Sequence, residues 1–227
     1  MKYNGITRDT LFLLSDNRFR DSREFYEEHK EELKAGITVP MRQIASIIGQ
    51  ELLPLDELMN VNPVKMVSRI FRDTRYTKDK RLYRDNMWIM FMRDKHQWQC
   101  YPCFWFEVTP SEYTMGIGFF GSEPGLMNTF RRYIRENLCE FRDIAEKCES
   151  TGAELYGEEY KRIPADCPDG MERYWRKKHF GFIFESQNTD DLKDEGIIDI
   201  IRDKFDKFSP LYTFMLKVSD EYFSKGE

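Results

Sequence analysis

The chain has 227 residues and a formal net charge of -5 at pH 7. Its hydrophobic share of 41% and aromatic share of 15% exclude a disordered chain and predict a core filled with aromatic rings. The N-terminal part offers only a short apolar run, Leu11–Leu14, where a membrane span needs about 20 apolar residues. With no apolar export signal at the N-terminus, we expect a cytoplasmic protein that does not enter a membrane.

The first zone of the sequence, residues 6–62, is predicted to be helical. Thr7 can cap a short helix that continues to Leu14, and Asp21–Glu24 form a capping box for a charged helix that ends near Leu33. Apolar residues then recur at helical spacing from Met41 to Leu53, which predicts a third helix that stops before Pro54.

The second zone, residues 64–120, is predicted to form strands. Its apolar and aromatic segments are separated by polar or proline-containing turns; they are Lys65–Phe71, Met87–Met92, Phe104–Thr109 and Tyr113–Phe120. The last two segments are joined by only Pro110–Glu112, and this short connection favours an antiparallel hairpin.

The third zone mixes helices and one strand. Ser122 is predicted to cap a helix that has Pro124 in its first turn and ends near Asn137. The elements expected after it are helices at Cys139–Glu149 and Met171–Lys177, a strand at Phe180–Phe184, and two helical apolar faces at Ile197–Phe205 and Leu211–Tyr222. Strands flanked by runs of helices predict a single α+β domain over residues 1–227, with a mainly antiparallel sheet and helices packed on it.

One segment, residues 65–84, differs from the rest of the chain in its charge. It holds eight basic residues against two acidic ones, a local charge of +6 in a protein of net charge -5. Such crowding of cations is unfavourable unless acidic side chains or a bound anion offset it. Arginine suits an anion site because its planar guanidinium makes paired hydrogen bonds to a phosphate or carboxylate.

We predict that a strand carrying Arg69 leads into a loop at residues 73–80, and that Arg72, Arg75 and Lys80 line one concave anion site. Asp73 and Asp79 are expected to stay ionised among these cations, which argues against a general acid. The candidate ligand-binding residues are Arg69, Arg72, Asp73, Arg75, Lys78, Asp79, Lys80 and Tyr83. The alternative is structural: Arg69, Arg72 and Arg75 would pair with acids elsewhere and fix the loop to the sheet.

The order of residues 69–83 resembles the signature of a widespread bacterial family that carries only a domain-of-unknown-function label. That signature is R-x-x-R-D-x-R-F, a small hydroxyl residue, K-D-K and a later tyrosine; here Tyr76 replaces the phenylalanine. Leu13–Lys30 is also similar to the family's N-terminal helix pair, with its Asn-Arg and aromatic positions. The resemblance implies a single-domain, uncharacterised protein and supplies no activity.

Two functions are compatible with these patterns. The first is a site for a small anionic ligand, with or without an enzymatic reaction. The second is a nucleic-acid or protein binding module that uses the same basic surface and a second basic segment, residues 173–178, with Tyr76, Tyr83 and Tyr174 as stacking partners. The negative net charge and the pI of about 5.5 disfavour nucleic acid.

No metal site is predicted from the cysteines. Cys100 and Cys103 have the spacing of a redox pair or half a zinc site, and we interpret them instead as buried small hydrophobic residues. The sequence does not specify a cofactor, a reaction or an oligomeric state.

Overall fold

The computed structural model describes residues 2–94, 98–120 and 123–224. Its five strands are β1 (Met87–Phe91), β2 (Cys103–Val108), β3 (Tyr113–Gly118), β4 (Glu154–Tyr156) and β5 (Gly181–Ser186). They form one antiparallel sheet in the order β1-β2-β3-β5-β4, with helices packed around it. The predicted α+β class and mainly antiparallel sheet are therefore confirmed.

Four of the strands match predicted ones, and β4 was not predicted. β4 pairs antiparallel with β5, with Leu155 opposite Phe182. It was not predicted because it has only three residues and is largely exposed. So short a segment cannot show the apolar alternation by which a strand is recognised in a sequence. The predicted hairpin is present between β2 and β3, where the N–H of Thr109 donates to the carbonyl of Glu112 at 2.9 Å.

The chain divides into two compact units. Unit 1 comprises the described residues of Met1–Phe91, Trp105–Thr114 and Glu185–Arg202, and unit 2 those of Met92–Phe104, Met115–Phe184 and Asp203–Glu227. The extent of the domain, predicted as residues 1–227, stays a prediction.

Unit 1 begins with three helices, α1 (Arg8–Arg20), α2 (Arg23–Leu33) and α3 (Val39–Leu52), the last two joined by a π-helical turn at Lys34–Thr38. Thr7 caps α1 as predicted, but α1 continues past Leu14 to Arg20. The cap of α2 is Ser22, whose hydroxyl accepts the N–H of Phe25.

The end of α1 is fixed by Asp21. Its backbone is left-handed, with φ of 47°, and its N–H donates to the carbonyl of Asn17. This conformation is uncommon outside glycine and tolerated best by aspartate and asparagine. It ends the helix and leaves the Asp21 carboxylate available to another segment.

The predicted strand at Lys65–Phe71 is wrong at its start. Asn62 caps a single helical turn, α4 (Pro63–Met66), and Pro63 occupies its first position, where a missing N–H is harmless. From Val67 the chain is extended and pairs antiparallel with the chain around β1 through isolated bridges, Val67 with Ile89 and Phe71 with Tyr83.

Unit 2 contains α5 (Pro124–Glu136), α6 (Leu138–Glu149) and α7 (Glu172–Trp175), close to the predicted bounds. The cap predicted at Ser122 lies outside the described residues. The rings of Phe130, Phe141, Phe180 and Phe214 pack against one another with centroids 4.8–6.2 Å apart, which forms the aromatic core expected from the composition.

The two apolar faces predicted near the C-terminus belong to one helix, α8 (Gly196–Ser224), which contains Pro210. A proline in a helix removes one backbone hydrogen bond, but the buried side chains on both sides of it, Phe208 and Leu211, favour continuing the helix. In the part of the chain that the structure describes, no helix combines the length and the apolar character that crossing a membrane requires.

Candidate functional site

The basic segment forms a closed loop in unit 1. The N–H of Arg72 donates to the carbonyl of Leu82 at 2.7 Å, so the two ends of the loop lie side by side. The N–H of Leu82 in turn donates to the Asp21 carboxylate at 2.6 Å. The loop, residues 73–81, is therefore anchored at its base both to the extended segment before it and to the end of α1.

Asp79 is the centre of this loop. Its Oδ2 accepts Arg18 Nη2 at 2.6 Å, Arg72 Nη1 at 2.8 Å and Arg81 Nη2 at 3.1 Å. The side chains of Arg18 and Arg72 are only 13% and 17% exposed, so these two cations are largely withdrawn from water. We call Asp79 with Arg18, Arg72 and Arg81 the arginine cluster.

The Asp79 carboxylate is held ionised. Hydrogen bonds from the side chain and backbone N–H of Arg81, then from Arg18 and Arg72, place its pKa far below the usual range. The expectation that Asp79 stays ionised is confirmed, and this carboxylate cannot serve as a general acid near neutral pH.

Asp73 forms a separate, exposed pair with Arg75. Its two oxygens accept Arg75 Nε at 3.0 Å and Nη2 at 2.7 Å, and Oδ1 also accepts the Arg75 backbone N–H at 3.1 Å. These bonds lower the pKa of Asp73 to about 2, so it too stays ionised as predicted. The pair shapes the loop locally, since its members are only two residues apart.

The remaining predicted cations differ in their partners. Lys80 Nζ donates to the carbonyl of Thr74 at 2.8 Å across the loop. Arg69 and Lys78 are exposed, and neither makes a hydrogen bond or ion pair to another described residue. Arg69 is nonetheless close enough to Asp73 to help lower the pKa of that carboxyl.

Arg72, Arg75 and Lys80 therefore bond to three different acceptors, Asp79, Asp73 and the Thr74 carbonyl. The prediction that these three heads share one concave site is not supported by this geometry. The structural alternative is also supported only in part. The partners of Arg72 and Arg75 are acids of the loop itself, and no acid among the described residues pairs with Arg69.

Arg84 adds a further positive charge beside the cluster. Its guanidinium lies over the Trp88 ring, with Cζ 4.3 Å from the centroid, and its Nε is buried without an acceptor. Burial lowers the pKa of Arg84, and the nearby charges of Arg72 and Arg18 lower it further, while Glu107 acts in the opposite direction. Arg84 therefore lies in positively charged surroundings.

Tyr83 is a structural residue in this arrangement. It is fully buried, and its ring stacks on Tyr26 with centroids 5.0 Å apart and contacts Phe71 at 4.9 Å. Its backbone carbonyl accepts Arg18 Nη1 at 2.7 Å. A ligand cannot reach the Tyr83 ring without displacing these neighbours, so its predicted place in the site is not supported.

Sequence reasoning missed Arg18 and Arg81, which belong to the arginine cluster, and Arg84, which lies beside it. Arg18 is 61 residues before Asp79 and belongs to a different element, so no local pattern connects them. The one signal was the Asn-Arg position in the family resemblance of Leu13–Lys30. Arg84 was counted among the basic residues but not placed near Arg72.

The second basic segment, residues 173–178, lies in unit 2, and three of its four cations pair with nearby acids. Arg173 pairs with Glu149, Lys177 with Glu159 and Lys178 with Glu158. Tyr174 is 8% exposed, so it does not offer the open ring face that stacking on a nucleic acid requires. The alternative in which this segment contributes a stacking tyrosine is therefore not supported.

Two other kinds of site receive little support. A cavity of about 510 Å³ in unit 1 is lined by Lys2, Tyr3, Asn4 and residues 193–196, none of them predicted site residues. Among residues 2–94, 98–120 and 123–224, no three His, Cys, Asp or Glu side chains are grouped so that they could hold a metal ion. Cys100 and Cys103 are buried and unpaired, and burial raises the pKa of each thiol, as expected for small hydrophobic residues.

The structure is thus an α+β protein whose most distinctive candidate site is the arginine cluster, in which three guanidinium groups contact the carboxylate of Asp79. Residues 9–214 match the family described as conserved hypothetical protein (DUF2461), and the chain belongs to that family. No curated protein matches the chain.

Proposed function

We propose that the arginine cluster and its loop bind a small anionic ligand that carries a phosphate or carboxylate group. The observation that carries this proposal is the shared carboxylate: three guanidinium groups contact Asp79, so this group of four side chains keeps a net charge of two positive units. An anion placed beside these cations would offset their mutual repulsion.

The donors that would bind the anion follow from the contacts. Arg72 reaches its protein acceptors, Asp79 and the Arg81 carbonyl, through Nη1 alone. Its Nε and Nη2 have no acceptor among the described residues, and together they form the side of the guanidinium that binds phosphate or carboxylate in a paired geometry. Lys78 in the loop and Arg69 in the segment before it are exposed cations and supply additional charge.

Asp79 would hold these arginines in place, because its ionised oxygens fix two guanidinium groups that are mostly withdrawn from water. A site that is already ordered needs less of the binding free energy to order its side chains. We assign binding and no reaction to this site, since its two carboxyls, Asp73 and Asp79, are held ionised and cannot donate a proton near neutral pH.

We further propose that the protein acts in the cytoplasm. All five cysteines are unpaired in the structure, and free thiols are the ordinary state in a reducing compartment.

The test is calorimetric titration of the protein with pyrophosphate and, separately, with citrate, at constant ionic strength. We expect both probes to bind and to raise the melting temperature, because a ligand that binds only the folded state stabilises it. Replacing Arg72 by Gln should weaken binding by about tenfold or more, which corresponds to the loss of one or two hydrogen bonds to a charged group.

The matched control is Arg202→Gln. Arg202 also pairs with two carboxylates, Glu51 and Asp199, in unit 1, but it is not part of the loop. We expect Arg202→Gln to bind both probes like the wild type. Absence of binding by the wild type, or equal loss in Arg72→Gln and Arg202→Gln, would contradict the proposal.

A further inference from the structure

Tyr76, at the far end of the loop, is the most exposed of the large hydrophobic and aromatic side chains among the described residues. It is 89% exposed, whereas the nearby ring of Tyr83 is fully buried. A tyrosine with so little contact contributes little to the core. Its position next to a cluster of cations therefore calls for a different role.

The chain on both sides of Tyr76 is fixed by hydrogen bonds. Before it, Arg75 is held by Asp73 through bonds of 2.7–3.1 Å. After it, the Thr77 hydroxyl donates to the carbonyl of Asp79 at 2.6 Å, and the Lys80 ammonium closes the loop onto Thr74. The loop thus presents the Tyr76 ring from an ordered backbone, and such preorganisation favours binding.

The ring is also close to one cation. The Arg75 guanidinium carbon lies 5.5 Å from the ring centroid, which is a cation–π arrangement. Tyr76 is three residues from Asp79, so their Cα atoms are at most roughly 11 Å apart. A flat aromatic group on Tyr76 and a phosphate at the arginine cluster can therefore belong to one small ligand.

We propose that the ligand of this site is a nucleotide whose base stacks on Tyr76 while its phosphate binds the arginine cluster. This inference rests on the proposed function, and it adds the aromatic half of the ligand to the anionic half. Bases stack on aromatic side chains through their π faces, and a neighbouring arginine strengthens such contacts.

A free mononucleotide fits better than a nucleic-acid chain. The protein has a net charge of -5 and a pI of about 5.5, whereas proteins that follow a polyphosphate backbone usually carry a basic excess. In the second basic segment, residues 173–178, three of the four cations are paired with acids, which reduces the positive charge available to a longer strand.

The experiment compares AMP with ribose 5-phosphate, which has the same phosphate and sugar but no base, by calorimetric titration of the full chain. We expect the wild type to bind AMP about tenfold more tightly than ribose 5-phosphate. Tyr76→Ala should lose this preference and keep the affinity for ribose 5-phosphate, while Tyr76→Phe should keep the preference. Phe12→Ala, at a 64% exposed aromatic position on α1, is the control and should behave like the wild type.

Each outcome bears on the inference separately from the proposed function. Equal affinity of the wild type for AMP and ribose 5-phosphate would overturn the nucleotide and leave anion binding intact. Absence of binding by both compounds would overturn both proposals. A six-residue deoxyadenosine oligonucleotide that binds far more tightly than AMP, with affinity falling steeply with salt, would show that the ligand is a polynucleotide and overturn the mononucleotide. Melting curves of Tyr76→Ala should match the wild type, so that a loss of affinity reports binding.

Discussion

Arg18 of α1 donates a hydrogen bond of 2.6 Å to Asp79, which lies 61 residues later in the chain. The same guanidinium donates to the carbonyl of Tyr83 at 2.7 Å. One side chain thus fixes both the centre and the base of the basic loop to a helix. The order of this loop therefore depends on a residue outside the basic segment.

The two least exposed arginines of the cluster should differ in their effect on stability. Arg18→Met removes two hydrogen bonds and the link to α1, so we expect the free energy of unfolding to fall by about 2–3 kcal/mol. Arg72→Met leaves Asp79 paired with Arg18 and Arg81 and relieves repulsion with Arg84, so we expect a change within about 1 kcal/mol of zero. Urea unfolding of both variants without added phosphate measures the difference. An equally large loss for Arg72→Met would show that Arg72 is a structural residue.

Asp79→Asn should destabilise the protein in a pH-dependent way. A carboxyl whose pKa is lowered on folding contributes stability that is present above its unfolded value, near 3.8, and is lost as the pH falls toward the folded value. We therefore expect the stability difference between wild type and Asp79→Asn to be large at neutral pH and to shrink as the pH falls below that value. The matched control is Asp73→Asn, whose exposed pair with Arg75 is screened by water, so its effect should be much smaller.

Two replacements of Tyr83 distinguish the contribution of its ring to stability from that of its hydroxyl. The hydroxyl is buried without a hydrogen-bond partner in the described structure, so Tyr83→Phe should be neutral or stabilise the protein by about 1 kcal/mol. Tyr83→Ala removes a fully buried ring from the contact with Tyr26 and Phe71 and should cost about 3–5 kcal/mol. Denaturant titration of both variants tests this. A clear loss of stability in Tyr83→Phe would mean that the hydroxyl has a partner in solution.

Glu112 should make the protein less stable as the pH rises. Burial raises its pKa, and the neighbouring carboxyls of Glu185 and Glu107 raise it further. An acid whose pKa is raised on folding contributes stability that is lost as the pH increases through its folded value. Glu112→Gln should therefore melt at a higher temperature than the wild type at neutral pH, and the difference should disappear in acid. Glu57→Gln, at an exposed position of unit 1, should show no such trend.

Binding of polynucleotides should be weak at moderate salt. Each phosphate that a protein neutralises releases counterions, so true polynucleotide binding falls steeply as salt is added. We expect labelled single-stranded and duplex oligonucleotides to show no appreciable binding at moderate ionic strength, measured by fluorescence anisotropy. Salt-sensitive binding that disappears when Arg72 and Arg75 are replaced would reverse our ranking of ligands.

Local patterns in the sequence determined much of the fold. The apolar spacing of α3 and the aromatic runs of β1, β2 and β3 predicted these elements because each carries its own periodicity. The charge excess of residues 65–84 also drew attention to the candidate site, and the mixture of arginine and aspartate in it correctly predicted that Asp73 and Asp79 stay ionised.

Only the tertiary structure decided how these charges are arranged. Whether an arginine meets a carboxylate, a carbonyl or water depends on which chain segments lie beside it, and that depends on the packing of distant elements. Arg18 lies beside the loop because α1 ends at Asp21. The Asp21 carboxylate accepts the N–H of Leu82 and so holds the base of the loop against the end of this helix. Tyr83 is not an accessible site residue, because its ring is buried against Tyr26 and Phe71. No spacing within residues 65–84 could reveal the contact with Tyr26.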